Sequence, residues 1–372
     1  MKIIRSSKCN LKYLTSEKRE QLENIRLEYT KVVNLFIDLF WENTPKKFGL
    51  LKDVLNPVSE LTWFSQRMIQ NAARESIDMI SSAKAQAEEA EEEPIKPVHF
   101  GNRMVLSNSV CDFQSPKNSK EFDNWLHLQS IGNKLRIDIP IRRHKHFNQL
   151  MNEGRLCTTV QILRNHVQFS FEIETGPKLP FDSCIGIDTG IKSLATLSTG
   201  EHLGTELESK IQRIKRCKRG SKGQKRARVD LKSYISLTAK EVVKHGSLIV
   251  FENLKGISKN TKKSKRLSKS MRSVIGNWNQ AYWMQRLKSA SERNRVSFRT
   301  VSPFNTSITC PICNQIDKRN RKSQGIFLCQ SCGYTDNADV NAARNILNRF
   351  LTGPYGAGCQ AKIPIEQSYV LI

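Results

Sequence analysis

The sequence predicts an α+β protein of several domains, in which a helical block interrupts antiparallel strands and an α/β domain carrying a four-cysteine ribbon follows. Three observations carry that reading. Apolar residues recur every three or four positions through 16–92. They alternate with polar residues between 95 and 175. Beyond 179, two short apolar strands each end in an acid, ahead of two Cys-x-x-Cys pairs.

At 372 residues the chain is long enough for about two or three domains, each with its own core. Sixty Lys and Arg against 35 Asp and Glu leave a formal charge of +25. A compact chain so charged repels itself unless a polyanion neutralises it, and nucleic acid does so through phosphate contacts that release counterions. An anionic membrane is the competing partner, but no apolar run approaches the roughly 20 residues of a spanning helix. The longest candidate, Val32 to Trp41, carries Asn34 and Asp38. The opening Met1-Lys-Ile-Ile-Arg-Ser-Ser lacks the apolar stretch of a secretory signal. Six scattered cysteines (Cys9, Cys111, Cys157, Cys184, Cys217, Cys359) beside four in metal spacing fit a reducing compartment, so a cytoplasmic protein is expected.

Taken in order, a short first strand precedes a helix that Ser16 can cap, with Glu17 and Glu20 placed well against its dipole. Leu22, Ile25, Tyr29, Val32, Phe36 and Phe40 form its apolar stripe. A loop holding Pro57 ends this element. A second long helix starts near Ser59 and runs through Trp63, Phe64, Met68, Ile77 and Ile80, and the acidic run 88–94 is its solvated end. From 95 to 175 the pattern is short antiparallel strands, as in Leu135-Arg-Ile-Asp-Ile-Pro-Ile and Val167-Gln-Phe-Ser-Phe-Glu-Ile, suited to a small barrel or curved sheet. Between them Arg142, Arg143, His144, Lys145 and His146 form a basic turn, where phosphate contact is expected rather than metal ligation by the histidines.

Gly176-Pro-Lys-Leu-Pro marks a domain junction. Ser183-Cys-Ile-Gly-Ile-Asp188 is then a buried strand closed by an acid. Taken alone, Asp-Thr-Gly is also ordinary turn chemistry. Lys210 to Arg228 carries ten basic residues and no acid. Leu248-Ile-Val-Phe-Glu252 is a second strand closed by an acid, and Lys255 to Arg272 adds eight positive charges. A strand with a terminal carboxylate between two acid-free basic tracts suits a groove for a nucleic-acid strand. The expected contacts are Lys210, Arg213, Lys215, Arg216, Lys218, Arg219, Lys225, Arg226 and Arg228 in the first tract, Lys262, Lys263, Lys265 and Arg266 in the second, and Arg142 and Arg143 upstream. A helix with Trp278, Tyr282, Trp283 and Leu287 and a strand near 296–301 lead into the ribbon.

Cys310-Pro-Ile-Cys313 and Cys329-Gln-Ser-Cys332 stand fifteen residues apart, the spacing of a two-knuckle zinc site. Asn314 and Gly333, each directly after a second cysteine, tolerate the left-handed backbone that such turns need. Four thiolates leave Zn²⁺ no open position, so the metal is structural. Asp339 opens a helix seven residues later, where on its own it would serve as an N-cap. Asp188, Glu252 and Asp339 together are a different matter. Carboxylates gathered in one place repel unless a cation sits among them, and hard oxygen donors select Mg²⁺, or Mn²⁺, for phosphodiester chemistry.

Ile185-Gly-Ile-Asp188-Thr-Gly-Ile, Ile249-Val-Phe-Glu252-Asn-Leu, Thr306-Ser-Ile-Thr-Cys310-Pro-Ile-Cys313 and Cys329-Gln-Ser-Cys332-Gly-Tyr with Asp339-Val-Asn-Ala-Ala-Arg-Asn-Ile resemble the TnpB (OrfB) proteins of bacterial insertion sequences, compact relatives of type V CRISPR effectors. The resemblance spans 183–347. It implies a wedge-type β-barrel (1–15 and 95–178) interrupted by a helical recognition insert (16–94). A RuvC domain of RNase H-like fold (179–304 and 336–351) follows, with an inserted zinc ribbon (305–335) and a tail (352–372). It also implies Asp188, Glu252 and Asp339 as catalytic metal ligands, a guide RNA and target double-stranded DNA as partners, and cleavage beside a short adjacent motif in the bacterial cytoplasm, at the nucleoid when bound. Family members often carry Asp-Arg before the last acid, where this chain has Asn337-Ala338. A non-cleaving RNA-guided repressor and a DNA-only transposase accessory protein are the alternative readings.

Overall fold

The computed structural model describes residues 1–47, 52–115, 121–132, 135–253, 277–278, 280–323 and 325–353. They form two compact units, Lys2–Glu174 and Thr175 onward, the second also taking in Met1. No helix among the described residues is long and apolar enough to cross a membrane.

In the first unit, β1 (Lys2–Asn10), β2 (Arg103–Ser107), β6 (Arg155–Leu163) and β7 (His166–Glu174) make an antiparallel sheet in the order β1-β7-β6-β2. A three-stranded antiparallel sheet joins β3 (Cys111–Gln114), β4 (Asn124–Leu128) and β5 (Ile137–Ile141). Their buried alternate residues share one core with three helices, α1 (Ser16–Phe40), α2 (Lys52–Ser59) and α3 (Gln66–Ala90). The expected stripe of α1 is buried throughout, joined by Val33 and Ile37. Its cap is Thr15, not Ser16, with Thr15 Oγ1 accepting from the Lys18 amide.

Two boundaries differ from the expectation. Pro57 sits inside α2, a separate helix that ends two residues later. The long helix then begins at Gln66 and not near Ser59, because tertiary contacts hold the preceding chain extended. The Ser65 amide donates to the Ile131 carbonyl at 2.6 Å, and Trp63 lies so close to Gly132 that a side chain there would strike its backbone. The basic turn at 142–146 also differs: its second half opens α4 (Lys145–Glu153), which buries Phe147 and Leu150. Three apolar residues in nine, Phe147, Leu150 and the exposed Met151, are too few to announce a helix from sequence.

The second unit is built on a mixed five-stranded sheet ordered β10-β9-β8-β11-β12, from β8 (Cys184–Asp188), β9 (Ala195–Leu197), β10 (His202–Leu203), β11 (Leu248–Glu252) and β12 (Ser297–Val301). The β11 strand runs parallel to both neighbours, and the β8–β9–β10 edge is antiparallel. One face carries α5 (Leu207–Arg216), α6 (Lys222–Val242) and α7 (Gln280–Arg293) around Ile185, Ile187, Ile249 and Phe251. The other carries α8 (Ala338–Thr352), whose Ile346, Leu347 and Phe350 pack on Cys184, Leu248 and Val250. A hairpin of β13 (Ile326–Leu328) and β14 (Thr335–Asn337) runs directly into α8.

Candidate active site

Asp188 ends β8 and Glu252 ends β11, and the pairing of Phe251 with Ile187 sets the two acids one step further along adjacent parallel strands. Side chains alternate along a strand, so once Ile185, Ile187, Ile249 and Phe251 are committed to the α5–α7 face, Asp188 and Glu252 fall on the face of α8. Gly186 lets that helix come close. A Cβ there would lie 2.8 Å from the Leu347 amide nitrogen and 2.9 Å from Leu347 Cβ, and closer still to the Ala343 carbonyl oxygen. Asp339, in the first turn of α8, is one turn ahead of Ala343 and is thereby carried toward the strand ends.

Asp188 feels the charges of the other two carboxylates. Burial raises Asp188 from the ordinary 3.8 to about 7, and the charges of Glu252 and Asp339 push the same way against the Thr189 amide and Arg321. Burial also raises Glu252, opposed by the Thr306 hydroxyl, which donates to Glu252 Oε1, and by the charge of Arg349. Arg321 Nη2 stands 3.2 Å from Asp339 Oδ1. The turn after Asp188 is held from behind, since Trp283 Nε1 donates to Thr189 Oγ1 at 3.0 Å and that hydroxyl donates to the Leu194 carbonyl at 2.6 Å.

Asn337 caps α8: its Oδ1 accepts from the amides of Asp339 (2.9 Å) and Val340 (3.2 Å). The alternative reading of Asp339 as the cap of its own helix thus falls away, and its carboxylate is left for the site. The Asn337 cap also gives a use to one of the two positions where the chain departs from the usual Asp-Arg. Asn345 Nδ2 donates to the carbonyls of Thr306 (2.9 Å) and Thr309 (2.6 Å), and Asn341 Nδ2 donates to Thr309 (3.2 Å), so α8 also fixes the loop that supports Glu252.

In the ribbon, the sulfurs of Cys310, Cys313, Cys329 and Cys332 all lie within 4.8 Å of one another. Cys310 and Cys332 are 3.6 Å apart, and Cys313 and Cys329 3.5 Å. A tetrahedral Zn²⁺ with bonds of about 2.3 Å spaces its sulfurs by about 3.8 Å, so both the donor set and the spacing fit such an ion. Asn314 (φ 60°) and Gly333 (φ 73°) adopt the left-handed backbone expected of the knuckles. Phe327, Ala338 and Tyr334 back the cluster.

The basic residues are placed less uniformly. Lys210, Arg213, Lys215 and Arg216 lie on α5, Lys218 and Arg219 in the turn after it, and Lys225, Arg226 and Arg228 on α6. Lys210 and Arg213 are partly neutralised by Asp230, at 3.2 and 3.4 Å. Arg142 and Arg143 belong to the first unit, where Arg142 donates to Tyr13 Oη at 3.3 Å. Lys262, Lys263, Lys265 and Arg266 lie outside the described residues. Gly186, Thr306, Arg321 and Asn345 received no role from the sequence, although Gly186, Thr306 and Asn345 stand within the motifs that carry the resemblance. Their roles depend on partners 36 to 161 residues away, or, for Arg321, on an acid across the ribbon.

A family model described as "Cas12f1-like, TNB domain" matches residues 282–346. The chain is 30% identical over 210 residues to the putative RNA-guided DNA endonuclease InsQ of Escherichia coli (strain K12), covering 49% of this chain and 52% of that protein. It is 33% identical over 131 residues to the TnpB-like protein aq_aa05 of Aquifex aeolicus (strain VF5), covering 34% and 42%. In fold it resembles Cas12f1 from a complex with single-guide RNA and target DNA, with a TM-score of 0.56 over 90% of this chain and 83% of that one, at 15% identity. The fold is thus a mixed α+β architecture similar to that of Cas12f1, with a four-cysteine module in its second unit. In sequence the chain is a relative of TnpB-like proteins. It spans about half the length of the curated relatives it matches.

Proposed function

We propose that the protein is an RNA-guided DNA endonuclease that cuts target DNA beside a short adjacent motif, through a RuvC-type site made of Asp188, Glu252 and Asp339. One observation carries this reading above the others. Strand alternation sends Asp188 and Glu252 to the face where α8 brings Asp339, and Asp188 is raised to about 7 by burial and by the charges of the other two acids. Three acids in that arrangement would attract a cation, and their hard oxygens suit Mg²⁺, or Mn²⁺, which when bound would activate water and stabilise the attacking and leaving oxygens of a phosphodiester displacement.

The chain's own residues do the rest of the work. Thr306 orients the Glu252 carboxylate, Arg321 holds that of Asp339, and Trp283 braces the turn after Asp188. The four thiolates would hold Zn²⁺ as a structural ion whose hairpin leads straight into Asp339. Lys225, Arg226, Arg228 and their neighbours on α5 and α6 would take the phosphates of guide and target, and pairing with the guide would select the sequence. The strands of the first unit, with α1 to α3 between β1 and β2, are read as the wedge-type barrel with its helical insert. The name of the relative InsQ, a putative RNA-guided DNA endonuclease, supports a DNA-associated enzyme, which would act in the bacterial cytoplasm.

The test is plasmid cleavage by the protein purified with its RNA, whose sequence identifies the guide, in Mg²⁺ and without it. Asp188→Ala should abolish cutting while guide-dependent DNA binding persists. Cutting by that variant refutes the assignment. DNA binding with no cutting by the unaltered protein in Mg²⁺ or Mn²⁺ would leave a repressor, and sequence-specific DNA binding after ribonuclease treatment a DNA-only protein.

A further inference from the structure

Phe304 is 72% exposed, a large apolar side chain at the edge of the candidate site. Single exposed apolar residues are common and need no purpose. This one is distinguished by how firmly the chain around it is held. On its N-terminal side, Arg349 Nη1 donates to the Ser302 carbonyl at 2.6 Å. On its C-terminal side, Asn345 Nδ2 donates to the Thr306 carbonyl at 2.9 Å. The Thr306 hydroxyl closes the turn over Phe304, lying 3.2 Å from the Pro303 carbonyl while it also serves Glu252. Pro303 restricts its own φ, and Asn305 takes the left-handed conformation at φ 60°. Phe304 is therefore presented to solvent by a braced turn.

Its place relative to the acids follows from register. Glu252 pairs with Val301 across β11 and β12, and Phe304 comes three residues after Val301, at the same carboxyl end of the sheet. Ligands of open α/β sheets bind outside that end. The cations nearby suit a phosphate backbone. Arg349 is bound to the turn and acts on Glu252, Arg321 reaches Asp339, and the exposed Arg299 lies on β12. An exposed aromatic ring carried on a braced turn, at the end of the sheet that bears these arginines and the carboxylates, suits a nucleobase whose phosphate is seated at those carboxylates, because every base offers a π-face and stacking is indifferent to sequence.

We propose that Phe304 is a positioning residue that stacks a nucleobase of the single DNA strand entering the site, next to the phosphate to be cut. The proposal rests on the endonuclease reading and adds to it the residue that receives a base of the separated strand. A paired base keeps both faces covered within its duplex, so the strand must be separated before Phe304 can engage it.

The experiment uses the full chain with its copurified RNA and single-stranded oligodeoxynucleotides carrying 2-aminopurine at successive positions. In the Asp188→Ala protein, fluorescence should be quenched at one position, and Phe304→Ala in that background should release the quenching and weaken binding about tenfold, within the range measured for one stacked base. In the otherwise unaltered enzyme, Phe304→Ala should raise KM about tenfold with kcat little changed, and Phe304→Trp should restore KM. Quenching that survives Phe304→Ala, an unchanged KM, or quenching with RNA strands but not DNA would overturn the proposal. A fall in melting temperature shared by both Phe304 variants would also overturn it, by making the residue a packing element. Retained cutting by Asp188→Ala would strike instead at the endonuclease reading, so the two failures are distinguishable.

Discussion

Replacing Gly186 tests the packing that brings the third acid to the other two. A Cβ at this position would lie 2.8 Å from the Leu347 amide nitrogen and closer to the Ala343 carbonyl, where ordinary contact begins at 3.4 Å. The obstruction is helix backbone, which cannot rotate away as a side chain can. In Gly186→Ala, α8 must retreat by more than the 0.6 Å between those two distances, or β8 must bend. Overpacking of this kind costs about 1–3 kcal/mol, and backbone obstruction places Gly186→Ala near about 3 kcal/mol, because the same retreat loosens Ile346, Leu347 and Phe350 from the sheet. The retreat also moves Asp339 relative to Asp188, and a misplacement of about 1 Å in a catalytic constellation costs about a hundredfold in rate. Urea denaturation and single-turnover plasmid cleavage measure the two effects. The matched control is Gly325→Ala in the ribbon, where an added Cβ meets nothing within 4 Å and stability should change by less than about 0.5 kcal/mol. If Gly186→Ala unfolds and cuts like the control, the close approach of α8 is not what assembles the site.

Asp188→Asn should abolish cutting yet stabilise the metal-free protein. Asp188 is raised from 3.8 to about 7, so between those values the folded chain holds a proton that the unfolded chain has released, and stability falls as pH rises through that window. Removing the charge removes the slope. The gain should grow from pH 5 to pH 8 toward a ceiling of about 4 kcal/mol, read by urea denaturation in chelator, and a gain independent of pH would contradict the assignment. Cys329→Ser removes one of four clustered sulfurs and should release the ribbon's metal, seen by elemental analysis, while lowering both melting temperature and cutting through the hairpin that leads to Asp339. Metal content, melting and cutting all unchanged would show the ribbon dispensable.

Local patterns were legible in the sequence because their physics is local. Two Cys-x-x-Cys pairs close on themselves wherever the chain can turn, and Asn314 and Gly333 allow those turns, so the gathering of four sulfurs could be read from spacing. The stripe on α1 and the apolar strands ending at Asp188 and Glu252 were equally plain, since burial repeats with the period of the element. Where an element stops depends on what it meets. The helix expected from Ser59 waits until Gln66 because residues 131 and 132 engage Trp63 and Ser65. Asp339 resembles a cap in sequence, yet Asn337 performs that task.

Sequence by itself therefore determined the inventory: four thiolates, three acids at the ends of elements, and a charge of +25 suited to a polyanion. Tertiary structure decided the relations among them. Which face of the sheet Asp188 and Glu252 share follows from the opposite residues being claimed by α5 to α7. How near Asp339 comes follows from the missing side chain at Gly186, and the setting of Glu252 from Thr306, which Asn345 holds in place. These are contacts between residues far apart in the chain, and no periodicity encodes them, because their energy exists only once the sheet and α8 have packed.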